Sequence, residues 1–267
     1  MISKVSVVLE KYEYSVVEPG TGTYADYLAL RYAVFCEELG RIAPDGRSMR
    51  GVAIESDDYD VHSLHVLCRV RDSGIAVACS RLILPGPKGL NVNARYKLYG
   101  VPGVSVGQVG EIGRLALASS LRRYRTEAWS IGRRRRALGA ESDPRHPTRK
   151  REGPVVALGL YREIINLASC YGITHCYAAM EPALARLLNQ LGFPFHQAGL
   201  PDTSVSPARQ PYLIGAQAAK AGLAARNSCL YRFMFGAAEA ESHIRCSPVV
   251  WPAAAEPKTY RDAGAHV

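Results

Sequence analysis

A mixed central sheet flanked by helices, α/β of the α+β kind, is the fold class this sequence predicts. Three observations lead there. Apolar residues alternate with period two in several short runs and recur at helical spacing in others. The two kinds of run interleave as β, α, three strands, then α, β, α, β. At 267 residues, with 48% hydrophobic and 21% charged residues, the chain has the apolar content for one large core.

Taken in order, residues 4–18 read as a strand or hairpin. "TYADYLALRYAVFCEELG" carries helical spacing and ends on Gly40, a natural C-cap. Two strands, "VHSLHVLCRVRD" and "GIAVACSRLILPG", meet at the hairpin turn Asp72-Ser73-Gly74. A Gly/Pro/Asn-rich link leads into a strand over 104–118. The helix "GPVVALGLYREIINLASCYG" opens near Pro154, and the strand "ITHCYAAM" follows it. The helix "EPALARLLNQLG" again starts on proline and stops on glycine, and "RQPYLIGA" makes a last strand. Residues 1–246 are expected to form one domain, and the Ala/Pro-rich residues 247–267 a disordered tail.

Charge is unevenly spread. Between Leu121 and Arg151 stand eleven basic residues against three acidic ones, so this segment carries +8 of the chain's net +9. With Pro144 and Pro147 and few large apolar residues, 121–152 reads as a mobile basic insertion. No run of about 18 apolar residues predicts a membrane span. The N-terminus lacks a signal-peptide core, and seven cysteines without metal spacing suit reduced thiols. The expectation is a cytoplasmic protein with no transmembrane segment, metal or bound cofactor.

The charges inside apolar runs are the candidates for chemistry, because a buried charge is costly unless it is paired or used. On the 75–84 strand, alternation puts Arg81 on one face with Val77, Cys79 and Ile83. It needs a carboxylate or a substrate, with Glu111 or Asp60 as the ordinary partner. "GEIGRLAL" (110–117) carries Glu111 and Arg114, each preceded by glycine. Gly110 and Gly113 permit a bulge that re-aims a side chain and frees a main-chain N–H. Arg31 and Phe35 share a helix face at i and i+4. Asp57 and Asp60 suit turn or capping roles. His62 and His65, three apart on a strand, face opposite sides, which excludes a zinc pair, and His65 is read as a hydrogen-bonding group.

In sequence order, Arg31 and Phe35, Asp57 and Asp60, Arg81 in "CSRLILP", then Glu111 and Arg114 resemble the signature of the autoinducer synthases that make acyl-homoserine lactones. "MEPALARLLNQLGF" is similar to a downstream segment of the same superfamily, and the resemblance spans roughly residues 25–215. Arg41 stands where those enzymes carry tryptophan, "HSLH" where a tyrosine follows the second aspartate, and Gly113 where a serine lies. "LRYAVFCEELG", "ESDDYDVHSLHVL" and "ACSRLILP" resemble more closely the N-acyl amino acid synthases, specifically the acyltransferases associated with PEP-CTERM/exosortase systems.

The resemblance implies a GNAT-like acyltransferase fold. It implies transfer of a fatty acyl group to the amine of an amino acid, with Glu111 as base and Arg114 and Arg81 beside it in the catalytic group. Arg31, Phe35, Asp57, Asp60 and His65 would serve substrate binding, with Arg81 or Arg31 clamping the acceptor's carboxylate.

The pyrophosphate-binding [QR]-x-x-G-x-[GA] turn of coenzyme-A-dependent members is missing after Ala118; "RALGAE" (136–141) ends on glutamate. An acyl group on acyl carrier protein, a phosphopantetheine thioester, is therefore the expected donor. Arg122, Arg123, Arg133, Arg134, Arg135 and Arg136 would dock that acidic partner. Two alternatives stand beside this reading. One is a homoserine-lactone synthase using S-adenosylmethionine. The other is a basic nucleic-acid-binding protein, against which no nucleic-acid motif and few aromatics appear in the basic run.

Overall fold

The computed structural model describes residues 10–101, 103–122 and 152–236. The expected basic insertion beyond Arg122, the tail at 247–267 and the start of the first predicted strand lie outside the described residues.

Hydrophobic alternation makes β1 (Tyr12–Val17). Thr21 caps α1 (Gly22–Tyr32), its hydroxyl accepting from the Tyr24 N–H at 3.2 Å. The helix then widens into a π-helical turn, Ala33–Glu38. A two-residue hairpin, β2 (Ser48–Met49) and β3 (Val52–Ala53), precedes β4 (Ser63–Val70) and β5 (Ala76–Ile83). Next come a short α2 (Asn91–Arg95), β6 (Val109–Leu117), α3 (Gly153–Cys170), β7 (His175–Met180) and α4 (Pro182–Leu191). β8 (His196–Gln197), β9 (Gln210–Gly215), α5 (Ala216–Arg226) and α6 (Ser228–Phe235) complete the described chain.

Among the described residues the main sheet runs β1-β4-β5-β6-β7-β9-β8. Its pairs are antiparallel except β6 with β7. α3, α4, α5 and α6 cover one face, where Val156, Leu160 and Ile164 pack on Val66, Cys68 and Leu82. α1 covers the other, with Tyr27, Leu28 and Val34 against Leu67 and Cys79. At the entry to α3, Glu152 accepts from the Tyr12 hydroxyl at 2.6 Å and from Lys11 at 2.8 Å. That ties the start of the helix to the edge strand.

The predicted strands and helices are present, with the 104–118 strand shortened to β6 behind a 3₁₀ turn at Val106–Gln108. α2, hidden in the Gly/Pro-rich link, and α5 and α6 were not expected. Among the cysteines, Cys36, Cys68, Cys79, Cys176 and Cys229 are free, whereas Cys170 is disulfide-bonded, contrary to the reduced state expected of it.

Gly192 closes α4 in the left-handed region, at φ 106°. A Cβ there would lie 2.9 Å from the Gly222 carbonyl oxygen and 3.1 Å from the Leu223 Cα. Gly192→Ala is therefore expected to cost more than the 1–3 kcal/mol, roughly, of backbone strain alone. Gly20→Ala, at φ 85° with nothing within 4 Å, isolates that strain. Urea denaturation of the two variants checks the difference; equal losses would mean that the α4–α5 contact adjusts freely.

Candidate active site

Pairing between β6 and β7 covers Val109–His175, Gly110–Cys176 and Glu111–Tyr177 and then stops, although both strands continue. The parallel strands diverge there. A cleft of about 300 Å³ occupies the fork, walled by Ile112–Leu115 on one strand and Ala178–Met180 on the other. Phe35 and Arg41 reach it from the α1 side, Tyr161 and Leu184 from the opposite face. A second, mostly apolar cavity of about 560 Å³ shares Ile112, Tyr161 and Phe195 with it and continues between the sheet and α3, α4 and α5.

β6 is bulged, as Gly110 and Gly113 suggested. Cys79 faces Ala116 and Arg81 faces Gly113, so Arg114 and Leu115 together oppose Ser80. Arg114 takes φ 48°, uncommon for a residue with a side chain. The re-aimed Arg114 joins Arg31 and Arg81 in a closed cluster with Glu55, Asp57 and Asp60. Arg31 Nε donates to Glu55 Oε2 and its Nη1 to Asp60 Oδ1, both at 2.6 Å. Arg81 grips Asp57 with two bonds, at 2.6 and 2.7 Å, and Asp60 Oδ1 at 2.6 Å. Arg114 Nη2 donates to Glu55 Oε1 at 3.0 Å and to Asp57 Oδ2 at 2.7 Å. Three guanidiniums thus meet three carboxylates, with Arg31 and Arg81 0% exposed.

Burial alone would raise these carboxylates, but the arginines outweigh it. Arg31 and Arg114 hold Glu55 below its ordinary value, Arg81 does so for Asp57, and Arg31 with Arg81 hold Asp60 far below.

Glu111 stands apart from this cluster's hydrogen bonds. It is 4% exposed and accepts from the Val92 N–H at 2.7 Å and from Asn91 Nδ2 at 3.2 Å. Burial raises its pKa, and these donors and the nearby arginines only partly oppose the rise. Arg81 therefore pairs with Asp60, one of its two expected partners, and with Asp57, not with Glu111. Glu111 does not itself line the cleft, but Gly113 on the cleft wall is close to it: a Cβ there would lie 3.9 Å from Glu111 Oε1.

Phe35 lies in the π-helical turn, lines the cleft and sits under the Arg114 guanidinium, 5.8 Å from carbon to ring centre. A π-helical insertion often marks a functional site. His65, 1% exposed, lies behind Asp60, tilted against the stacked rings of Tyr24 and Tyr27. Its Nε2–H donates to the Asp60 carbonyl at 3.1 Å, which spends its hydrogen bonding on the cluster and not on the cleft. Burial and then the positive arginines push its pKa down to about 4, against the opposing pull of Asp60, so it is neutral at pH 7. Arg122 is ion-paired with Glu38. Arg123 and Arg133–Arg136 lie outside the described residues.

Glu55, Arg209 and Glu181 belong to the site and were not singled out in the sequence. Glu55 precedes the two aspartates in "ESDDYD", and four carboxylates within six residues were the available signal. Among the described residues, no group of His, Cys, Asp and Glu is arranged to hold a metal ion, and no helix is long and apolar enough to cross a membrane.

Residues 30–130 match a family model described as acetyltransferase (GNAT) domain. Among solved structures, TofI in a ternary complex with an inhibitor and MTA is similar with a TM-score of 0.52 at 19% identity, over 80% of this chain and 96% of that one. BjaI with MTA, a CoA-dependent acyl-homoserine lactone synthase, gives 0.51 at 17% identity, over 84% and 88%. FeeM, an N-acyl amino acid synthase from uncultured soil microbes, gives 0.48 at 11% identity, over 79% and 93%. No curated protein matches the sequence. The fold is GNAT-like: a mixed, mostly antiparallel sheet flanked by helices.

Proposed function

We propose that the protein is an N-acyltransferase that moves a fatty acyl group from acyl carrier protein to the amine of an amino acid. The observation that carries this is the fork between β6 and β7. It holds a cleft lined by charged and apolar side chains that adjoins a larger apolar cavity, with the buried carboxyl of Glu111, its pKa raised, close to Gly113 on the cleft wall. A thioester lying in the fork would send its acyl chain toward Ile164, Leu188 and Phe193 in the second cavity.

Glu111, which lies behind the cleft wall, takes a proton from the acceptor ammonium through water. The freed amine attacks the thioester carbonyl. Main-chain N–H groups of the Gly113–Leu115 bulge are the candidates to hold the resulting oxyanion. Collapse breaks the carbon–sulfur bond, and the leaving pantetheine thiolate takes up the proton that the attacking nitrogen sheds, giving a neutral amide and a free thiol. Arg31 and Arg81 have no exposed surface, so the carboxylate clamp expected of them passes to other cations. They become positioning residues that, through Glu55 and Asp57, hold Arg114 at the cleft.

Acyl carrier protein as donor is supported by the missing pyrophosphate turn and the +8 segment, and a cytoplasmic setting follows from that donor. Membership among the PEP-CTERM/exosortase-associated acyltransferases rests on the quoted resemblance of three segments. The reading is tested by mass spectrometry of purified protein incubated with long-chain acyl carrier protein, an amino-acid pool and S-adenosylmethionine. An N-acyl amino acid is the expected product. An acyl-homoserine lactone would replace this reading with the synthase alternative, and no product from folded protein would overturn both.

A further inference from the structure

Four charged side chains line the cleft: Arg41, Arg114, Arg209 and Glu181. Arg114 is committed to Glu55 and Asp57. Glu181 accepts from Arg41 Nη2 at 3.2 Å. Among the described residues, the Arg209 guanidinium has no hydrogen-bond or carboxylate partner, although it is half-buried. Burial lowers its pKa, and the like charges of Arg41 and Arg114 add to that more than Glu181 relieves it. A partly desolvated cation beside two others is a poor arrangement unless an anion completes it.

The main chain holds this arginine in place. Asp202 and Arg209 exchange hydrogen bonds of 2.7 and 3.1 Å just before β9, while the Arg41 N–H is fixed on the Phe35 carbonyl at 2.8 Å. The chemistry that fits is a pair of anionic oxygens offered to a guanidinium fork. Two sources could supply it: the acceptor's carboxylate, or the phosphate of the donor's phosphopantetheine arm. The apolar cavity meets the cleft at Ile112, Tyr161 and Phe195, which line both, whereas Arg41 and Arg209 line the cleft alone. With an acyl chain seated in that cavity and the new amide in the fork, the product's carboxylate stays in the cleft, the part of the site that Arg41 and Arg209 line. We infer that Arg209, with Arg41 beside it, is the receptor for the carboxylate of the amino-acid acceptor and of the N-acyl product. This deepens the acyl-transfer reading and rests on it for the identity of the anion.

The test measures binding without turnover. N-dodecanoylglycine and its neutral amide, N-dodecanoylglycinamide, are titrated into wild-type protein, Arg209→Gln, Arg209→Lys and Arg41→Gln, with thermal unfolding confirming that each variant folds. Wild type should prefer the acid by at least about tenfold. Arg209→Gln should weaken the acid by about tenfold to a hundredfold and leave the amide unchanged. Arg209→Lys should recover part of the loss through charge without the fork, and Arg41→Gln should lose less than Arg209→Gln. Equal wild-type affinity for acid and amide would overturn the assignment. So would an undiminished preference in Arg209→Gln. In parallel, 4′-phosphopantetheine is compared with pantetheine; a phosphate preference that disappears in Arg209→Gln would move the site to the donor and overturn the carboxylate assignment. If the acid binds through Arg209 but mass spectrometry finds no acyl transfer, the reaction fails while the receptor stands.

Discussion

Glu111→Gln is expected to lower turnover by a factor on the order of 10² to 10⁴ while the protein stays folded. Both hydrogen bonds of the carboxylate can be kept. The glutamine oxygen accepts from the Val92 N–H, and its NH₂ meets Asn91 once that amide turns its oxygen inward. What disappears is the proton acceptor. In wild type the rate should rise with pH through the raised pKa of Glu111, because only the ionised form takes a proton. The variant should lose that limb.

Stability should respond in the opposite sense. The folded state favours the protonated carboxyl, so the contribution of this group is fully present below the unfolded value and is lost as pH rises through the folded one. Glutamine has no such loss. Glu111→Gln should therefore match wild type in acid and exceed it in melting temperature toward neutral pH. Turnover within twofold of wild type, with the acidic limb unmoved, would remove Glu111 from the mechanism.

The one-dimensional pattern exposed what depends on local periodicity. Alternation found Arg81 on an apolar face, and the glycines before Glu111 and Arg114 announced the bulge that turns Arg114 into the cluster. Helix starts at Pro154 and Pro182 and the stop at Gly192 followed from proline and glycine chemistry. What could not be read depends on how distant segments meet. Glu55, Asp57 and Asp60 turn inward while Asp58 pairs with exposed Lys88, and nothing in "ESDDYD" ranks the four. The fork forms where pairing between β6 and β7 ends, a relation between strands some 60 residues apart in sequence. Arg209 read only as the first residue of the strand "RQPYLIGA", because the cleft that gives it meaning is built by β6 and β7. α5 was missed because an Ala-rich run with weak periodicity gives no clear apolar stripe, and α6 because its eight residues span little more than two turns.

Asp60→Asn should be the costliest single polar change in the protein, at about 3–5 kcal/mol. One oxygen, Oδ1, accepts from both Arg31 and Arg81 at 2.6 Å, and Oδ2 accepts from the Asp57 N–H at 2.8 Å. An asparagine can preserve the shape but not the charge, which leaves three guanidiniums facing two carboxylates out of water. At roughly 2–4 °C per kcal/mol, the melting temperature should fall by about 10 °C. Burial makes the loss nearly independent of salt. Its pH dependence has a definite sign. Asp60 is held far below its unfolded value, so its contribution is present above about pH 4 and fades as pH falls toward the folded value. The gap between wild type and variant should accordingly be constant near neutrality and close in acid. Asp58→Asn is the control: it removes the same charge from an exposed side chain paired with Lys88, and should cost no more than about 1 kcal/mol. If Asp60→Asn also behaved like a surface change, the cluster could not be what holds Arg114 at the cleft. If it unfolds the protein early yet the folded fraction at low temperature loses turnover as well, stability and catalysis share this one carboxylate.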